Sequence, residues 1–309
     1  MDAGFGMTMT EVTESMDAEA PVTHSQTRIV RDHFDEWGEQ WDDRYKRRPR
    51  GMPDLDLQLR RESVHILLKG LSAVSADRLL VLDLGCGVGS VLDGFSRERI
   101  AVVATDLSGE MVSAAARLHP ADQHFVTDAA HLPVGMSTFD VVVCVGMLEY
   151  VPDVNQVLQQ VTRALRPGGR LIASFPNRNS VFRTLLALER AAERVAIKGM
   201  DLLSGRTRDL TSYAHTSWSP RSVFDLLRRH GLETEQVRFT TIGPYGRLGR
   251  LRLSIEVARR LSRAFEGRGM AASRLATTMV IQAKRVSRVS DTSGNEEGVA
   301  TIGAGGLLS

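Results

Sequence analysis

The chain has 309 residues, 42% apolar and 25% charged, the proportions of a protein able to bury a proper core. Its 39 Lys and Arg against 37 Asp and Glu leave +2, which excludes a polyanion binder on net charge. Two cysteines, Cys86 and Cys144, both in apolar runs, exclude a disulfide framework and point to a reducing, cytoplasmic compartment.

Residues 1–25 open with Asp2, Glu11, Glu14, Asp17 and Glu19 and carry no Lys or Arg, the reverse of a basic signal sequence, so a disordered acidic lead-in is expected. From 28 to 71 the pattern is helical, with Val30, Phe34 and Trp37 spaced by three and four, then a break at 49–53, then Leu57, Val64 and Leu67 on a second helix. Trp41 and Tyr45 in this region either cover a ligand or pack in the core. From 78 onward strands and helices alternate at short intervals, which predicts a parallel sheet covered on both faces. Strands are expected at 79–84, 100–105, 123–127, 139–146, 170–175, 233–241 and 276–284. Helices are expected at 88–96, 109–118, 154–165 and 221–230, the third stopped by Pro167-Gly168-Gly169. The longest apolar stretch, 141–148, is far short of the roughly 20 residues a spanning helix needs.

Two inserts break this rhythm, at 178–211 and 243–274. Between Arg178 and Arg274 there are 19 basic residues against 9 acidic. Val181, Leu185, Leu188, Ala192 and Val195 recur at helical spacing in the first insert, and 246–265 mixes arginines with Leu248, Leu251, Ile255 and Phe265. Such segments suit a lid over the substrate, an anionic membrane surface, or a solvated helix face packed on the core. The stretch 289–309, rich in Ser, Gly and Thr, is expected to be disordered.

The strongest local signal is VLDLGCGVGS at 81–90, where a strand enters a turn with glycines at 85, 87 and 89, and Ser90 stands where a dinucleotide fingerprint needs its third glycine. Asp83 lies just inside that strand. Asp106 ends the second strand, where a carboxylate can accept both hydrogen bonds of a ribose diol, and Asp128-Ala129 after the third can meet an adenine edge; helix N-caps are the plain alternative for both acids. No His, Cys or carboxylate pair stands at metal-ligand spacing, so no metal is called for. For a base the candidates are His215, in the loop before the last helix, and Glu149 after the fourth strand. The plain alternatives are a histidine bonding a loop carbonyl and a loop-capping glutamate.

With VLDLGCGVG, TDLSGEMV, TDAAHLPVGMSTFDVVVCVGMLEYVPD and LRPGGRLIASFPN, the chain resembles the class I S-adenosylmethionine-dependent methyltransferases, and the LEYVPD and LRPGG wording is similar to the small-molecule group of the ubiquinone and menaquinone pathways. Members of that group usually carry His where this chain has Tyr150. The resemblance implies an α/β, Rossmann-like seven-stranded sheet flanked by helices, with an N-terminal helical cap and helical inserts after strand 5 and between strands 6 and 7, all within one domain at 26–288. It implies S-adenosyl-L-methionine contacts from Asp83, Gly85, Cys86, Gly87, Gly89, Asp106, Leu107, Met111, Asp128, Ala129 and Val145. The expected reaction is methyl transfer to an oxygen or nitrogen of a small lipophilic or anionic acceptor, with peripheral membrane contact through the two inserts. A cofactor-binding accessory subunit and a nicotinamide oxidoreductase are the alternatives, the latter opposed by Ser90. Nucleic acid is disfavoured, since the tetrad of the base-flipping amino-methyltransferases is absent.

Overall fold

Val81 and Leu82, like Val141, Val142 and Val143, are apolar at consecutive positions, so both faces of their strands must be covered. The computed structural model describes residues 24–36, 40–204, 215–246, 252–265 and 272–286. It contains one sheet of β1 (Leu79–Leu84), β2 (Ile100–Asp106), β3 (Gln123–Val126), β4 (Phe139–Cys144), β5 (Leu165–Pro176), β6 (Leu232–Ile242) and β7 (Ala276–Arg285). The spatial order is β3-β2-β1-β4-β5-β7-β6, parallel through β5, with β7 antiparallel to both of its neighbours. This is the expected seven-stranded Rossmann-like sheet. The helices are α1 (His24–Asp35), α2 (Gln40–Lys46), α3 (Met52–Val74), α4 (Gly109–Leu118), α5 (Val154–Ala164), α6 (Val181–Ser204), α7 (Pro220–Arg229) and α8 (Arg252–Ala264).

Alternate residues of the strands feed two cores, as the twofold strand period requires. Leu82, Val142, Leu171 and Phe175 pack on one face with Val157, Leu158 and Val161 of α5 and Val223 and Leu227 of α7. Val81, Val102, Val143 and Ile172 pack on the other with Val64, Leu67 and Leu68 of α3. The chain leaves β1 for β2 on one side and reaches β4 on the other, so strand order reverses between β1 and β4. In open α/β sheets the ligand crevice lies at that reversal, beyond the carboxyl ends of the strands.

Three expectations are corrected. No helix forms at 88–96: the segment is a chain of tight turns, with Gly89 N–H donating to Cys86 O, Leu92 N–H to Gly89 O and Phe95 N–H to Leu92 O. Gly89 and Gly94 sit at φ 81° and 84°, a left-handed conformation that a helix interior does not accept. The helical run at 28–48 is two helices rather than one, and Trp37 lies outside the described residues. Pro167-Gly168-Gly169 does not stop a helix. Leu165 already pairs with Phe139, and the glycines bend β5 where a Cβ on Gly169 would meet three carbonyl oxygens at 2.9–3.1 Å. Of the disorder expected at 1–25, His24 and Ser25 instead open α1, while residues 1–23 and all of 289–309 lie outside the described ones.

Both inserts contain a helix, and both are tied to the sheet. Buried Asn177, at the end of β5, donates through Nδ2 to the carbonyls of Ser273 and Ala276, the latter at 2.7 Å, and its Oδ1 accepts from Asn179 N–H. This fixes where α6 starts. On α8, Ile255 and Ala258 bury against Met52, Leu55 and Leu59 of α3, and Arg259 binds Gln58 at 3.0 Å and faces Glu62 at 3.7 Å. The second insert is therefore partly core packing. Replacing Asn177 with Ala leaves buried carbonyls unpaired, so we expect an unfolding free energy lower by about 1–3 kcal/mol, read as a shifted urea midpoint with an unchanged slope.

Candidate active site

At the cofactor end, β1 delivers Asp83 and the glycine turn, β2 delivers Asp106, and the turn after β3 delivers Asp128. Asp106 accepts from Gly87 N–H at 2.8 Å through Oδ2 and from Ser108 N–H at 2.9 Å through Oδ1. Each oxygen keeps a further acceptor site, enough for a ribose diol. Burial raises the Asp106 carboxyl above its ordinary range, and the backbone donors partly offset this. Asp128 caps the short turn Ala129–His131 by accepting from Ala130 N–H at 2.9 Å, the plain alternative to adenine binding. Ala129, Val145, Cys86 and Met111 are buried nearby in sequence to these strand ends, and the Cys86 thiol is pushed far up by burial and donates to Gly87 O. Leu107 lies between Asp106 and the Ser108 cap of α4.

The glycines differ from one another. A Cβ on Gly85 would strike the Met147 side chain at 2.5 Å, and one on Gly89 would strike His119 at 2.6 Å, so protein side chains fill both spaces. Gly87, at φ 53°, has nothing nearer than Trp41 at 4.0 Å. Only there does the turn leave the open backbone that an adenosyl or methionyl group needs. The N-terminal helices close over this end: Asp35 accepts from Ser108, Asp42 from Ser90, and Gln26 donates to Tyr150 O. Trp41 packs with Val88 and Met111 and carries the Arg44 guanidinium 4.5 Å over its ring, while Tyr45 packs in the core beneath the sheet.

At the other end, sequence reasoning missed the residues that matter most. Arg60 of α3 binds Asp56 at 2.6 Å and lies 3.5 Å from Glu149; its side chain is 13% exposed, and its guanidinium stands 3.0 Å from where a Gly146 Cβ would be. Asp56 also accepts from Thr241 at 2.6 Å and Thr278 at 3.0 Å. Thr241 is held at φ 57°, a conformation that costs a β-branched residue about 1–3 kcal/mol. Two acids and an arginine inside an apolar helix run were the available signal, since such groups stay buried only when paired. Glu149 is 2% exposed and its Oε2 has no partner among the described residues. Burial raises its carboxyl pKa, and Arg60 partly restores the charge.

His215 does reach this end. Thr216 N–H donates to Glu149 O at 2.9 Å, Trp218 N–H to Pro176 O at 2.9 Å, and the His215 ring meets Tyr150 edge-on at 5.3 Å. Yet burial and the Arg183 and Arg60 guanidiniums push its pKa down to about 3. An imidazole so weakly basic is neutral throughout the physiological range and does not hold a proton, which argues against the expected general-base role. Among the described residues no helix is long and apolar enough to cross a membrane.

Residues 82–173 match the family model described as a methyltransferase domain. The chain is 31% identical over 186 residues to the ubiquinone biosynthesis O-methyltransferase of Xanthomonas euvesicatoria, covering 57% of this chain and 72% of the relative. It is 31% identical over 183 residues to the protein of the same name from Thiobacillus denitrificans, covering 57% and 74%. In fold it is similar to magnesium protoporphyrin IX methyltransferase from Synechocystis with bound S-adenosylhomocysteine, with TM-score 0.55 and 20% identity over 84% of this chain and 99% of that one.

Asp83 offers a direct test of the acidic end. Burial first, then Asp106 and Asp122, raise its pKa from 3.8 to about 7. Between these values the folded chain holds a proton that the unfolded chain has released, so stability falls as pH rises through this window. Without added S-adenosylmethionine, Asp83→Asn should abolish that part of the decline in Tm between about pH 4 and 7, while leaving Tm at pH 4 close to wild type.

Proposed function

The chain belongs to the class I S-adenosylmethionine-dependent methyltransferases and, like its O-methyltransferase relatives, acts on a small-molecule acceptor; we propose that it methylates an oxygen, with Glu149 as the base. The observation that carries this reading is the buried Glu149 Oε2, without a partner at the carboxyl end of β4 beside Arg60. When bound, S-adenosylmethionine supplies a methyl group activated by its sulfonium. Gly87, Asp106, Asp83 and Asp128 would hold it, and the open face of Gly87 fits that assignment. A sulfonium cation bound beside Asp83 and Asp106 would favour their ionised forms against the rise that burial causes in both.

On the acceptor side the chain's own groups have three tasks. Glu149, made more basic by burial, takes the hydroxyl proton. Arg60, held by Asp56, offsets part of the rise that burial causes in Glu149 and attracts the oxyanion that develops as the hydroxyl loses its proton. Neutral His215 and Tyr150 present ring faces that orient the acceptor and exclude water. The relatives' name as O-methyltransferases of ubiquinone biosynthesis supports the same acceptor chemistry. Glu149→Gln should lower kcat by about 10²–10⁴-fold in a labelled-methyl assay with a catechol, with S-adenosylmethionine affinity within about twofold of wild type. An unchanged kcat would reject Glu149 as the base.

The inserts are also proposed to touch an anionic membrane surface. Val181, Leu185, Leu188 and Val195 of α6 are 48%, 53%, 63% and 73% exposed in one stripe, and Arg263 of α8 is exposed. Arg247 and Arg250 lie outside the described residues, and Arg259 is engaged by Gln58 and Glu62. Wild-type protein should co-sediment with phosphatidylglycerol vesicles at low salt, and Leu185→Glu with Leu188→Glu should abolish this. No sedimentation of wild type would overturn the membrane contact.

A further inference from the structure

Helix α6 leaves an apolar stripe on its solvent side. At about 100° per residue, Val181, Leu185, Leu188 and Val195 share one side, and Arg183 and Arg190, seven residues apart, fall on the opposite one. This stripe faces solvent, whereas on the inward side Phe182 packs on the core, Arg190 is 8% exposed and Arg183 Nη1 is buried without a partner among the described residues. An ordinary surface helix has the reverse pattern. Arginines directed inward are tolerated only where anionic or strongly polar groups receive them.

The place they are directed to follows from the anchoring of α6. Asn177 and Ser180 tie its first turn to the carboxyl end of β5 and to residues 273–276, and Arg183 N–H and Thr184 N–H both bond Ser180 O. Arg183 therefore stands one turn from the strand ends where Glu149 and His215 are joined by the Thr216–Glu149 hydrogen bond. That position, one turn past the Asn177 and Ser180 anchors, agrees with its electrostatic influence on His215, Glu149 and Tyr245. A collision between any Cβ at Gly246 and the Glu189 carboxylate shows the loop after β6 closing against α6 from the far side. Asp56 is engaged by Arg60 through Oδ2 and by Thr241 and Thr278 through Oδ1.

We propose that Arg183 anchors an anionic substituent of the methyl acceptor, so that the preferred substrate is a hydroxyl compound carrying a second, ionised group. This inference rests on the acceptor-site reading above. Glu149 Oε2 accepts from the hydroxyl, and Arg183 Nη1 donates to the anion; the two groups lack partners in complementary senses. Charge-assisted bonds of this kind also make an unpaired guanidinium costly, so discrimination against a neutral acceptor is built in.

The test is binding of 3,4-dihydroxybenzoate and catechol, by calorimetry, to the full chain with S-adenosylhomocysteine present. Wild type should bind the acid at least about tenfold more tightly than catechol, a difference one charged contact readily provides. Arg183→Gln should reduce that preference to about twofold or less, Arg183→Lys should keep part of it, and affinity for S-adenosylhomocysteine should not change in either. Equal binding of the two probes by wild type, no binding of the acid at millimolar concentration, or a preference that survives in Arg183→Gln would each overturn the anchor. Methyl transfer is scored separately: an acid that binds through Arg183 but is not methylated removes the O-methylation reading and leaves the anchor.

Discussion

Burying the Arg60 guanidinium constrains much of the acceptor half of this molecule. A charge removed from water needs close counter-charges, and here Asp56 provides one at 2.6 Å and Glu149 a second at 3.5 Å. Because Asp56 also takes hydroxyl bonds from Thr241 and Thr278, this one ion pair joins α3, the ends of β6 and β7, and the segment after β4. The N-terminal helices are thereby integral to the site, although they precede the sheet in sequence. Removing either partner would strand a buried charge, which costs more than the pair itself contributes.

The crevice has two electrostatic ends. Asp83, Asp106 and Asp128 occupy the ends of the first three strands, while Arg60, Arg183 and Arg190 gather beyond β4 and β5. A cationic methyl donor suits the first end, and an acceptor that reacts as an oxyanion suits the second. This polarity also accounts for His215: among guanidiniums and out of water its protonated form is disfavoured, so its ring contributes shape and a neutral hydrogen-bonding face.

The inserts owe their dual character to how they are attached. Helix α6 is fixed at its root by Asn177, and that anchorage sets Phe182, Arg183 and Arg190 inward and Val181, Leu185, Leu188 and Val195 outward. Helix α8 follows the ordinary rule, burying Ile255 and Ala258 on α3 and leaving arginines outside. Both helices have a one-sided apolar pattern in sequence, yet α6 leaves an apolar stripe in solvent.

Much of the sheet was legible from periodicity and turn residues, because strands buried on both faces are apolar runs and Gly or Pro marks their ends. The cofactor acids were legible too, since a strand-end Asp is a local feature. The turns at 88–96 were not, because four positive-φ glycines between 85 and 94 leave the apolar spacing of Val88, Val91 and Leu92 helix-like while forbidding the helix. The roles of Gly85 and Gly89 depend on Met147 and His119, which the chain delivers from 62 and 30 residues away. By itself the sequence determined the fold family, the donor and the kind of reaction, all carried by short contiguous motifs. Only the tertiary structure decided which polar groups face the acceptor, because Arg60, Glu149, Arg183 and His215 come from four separate segments and acquire their charge states from one another.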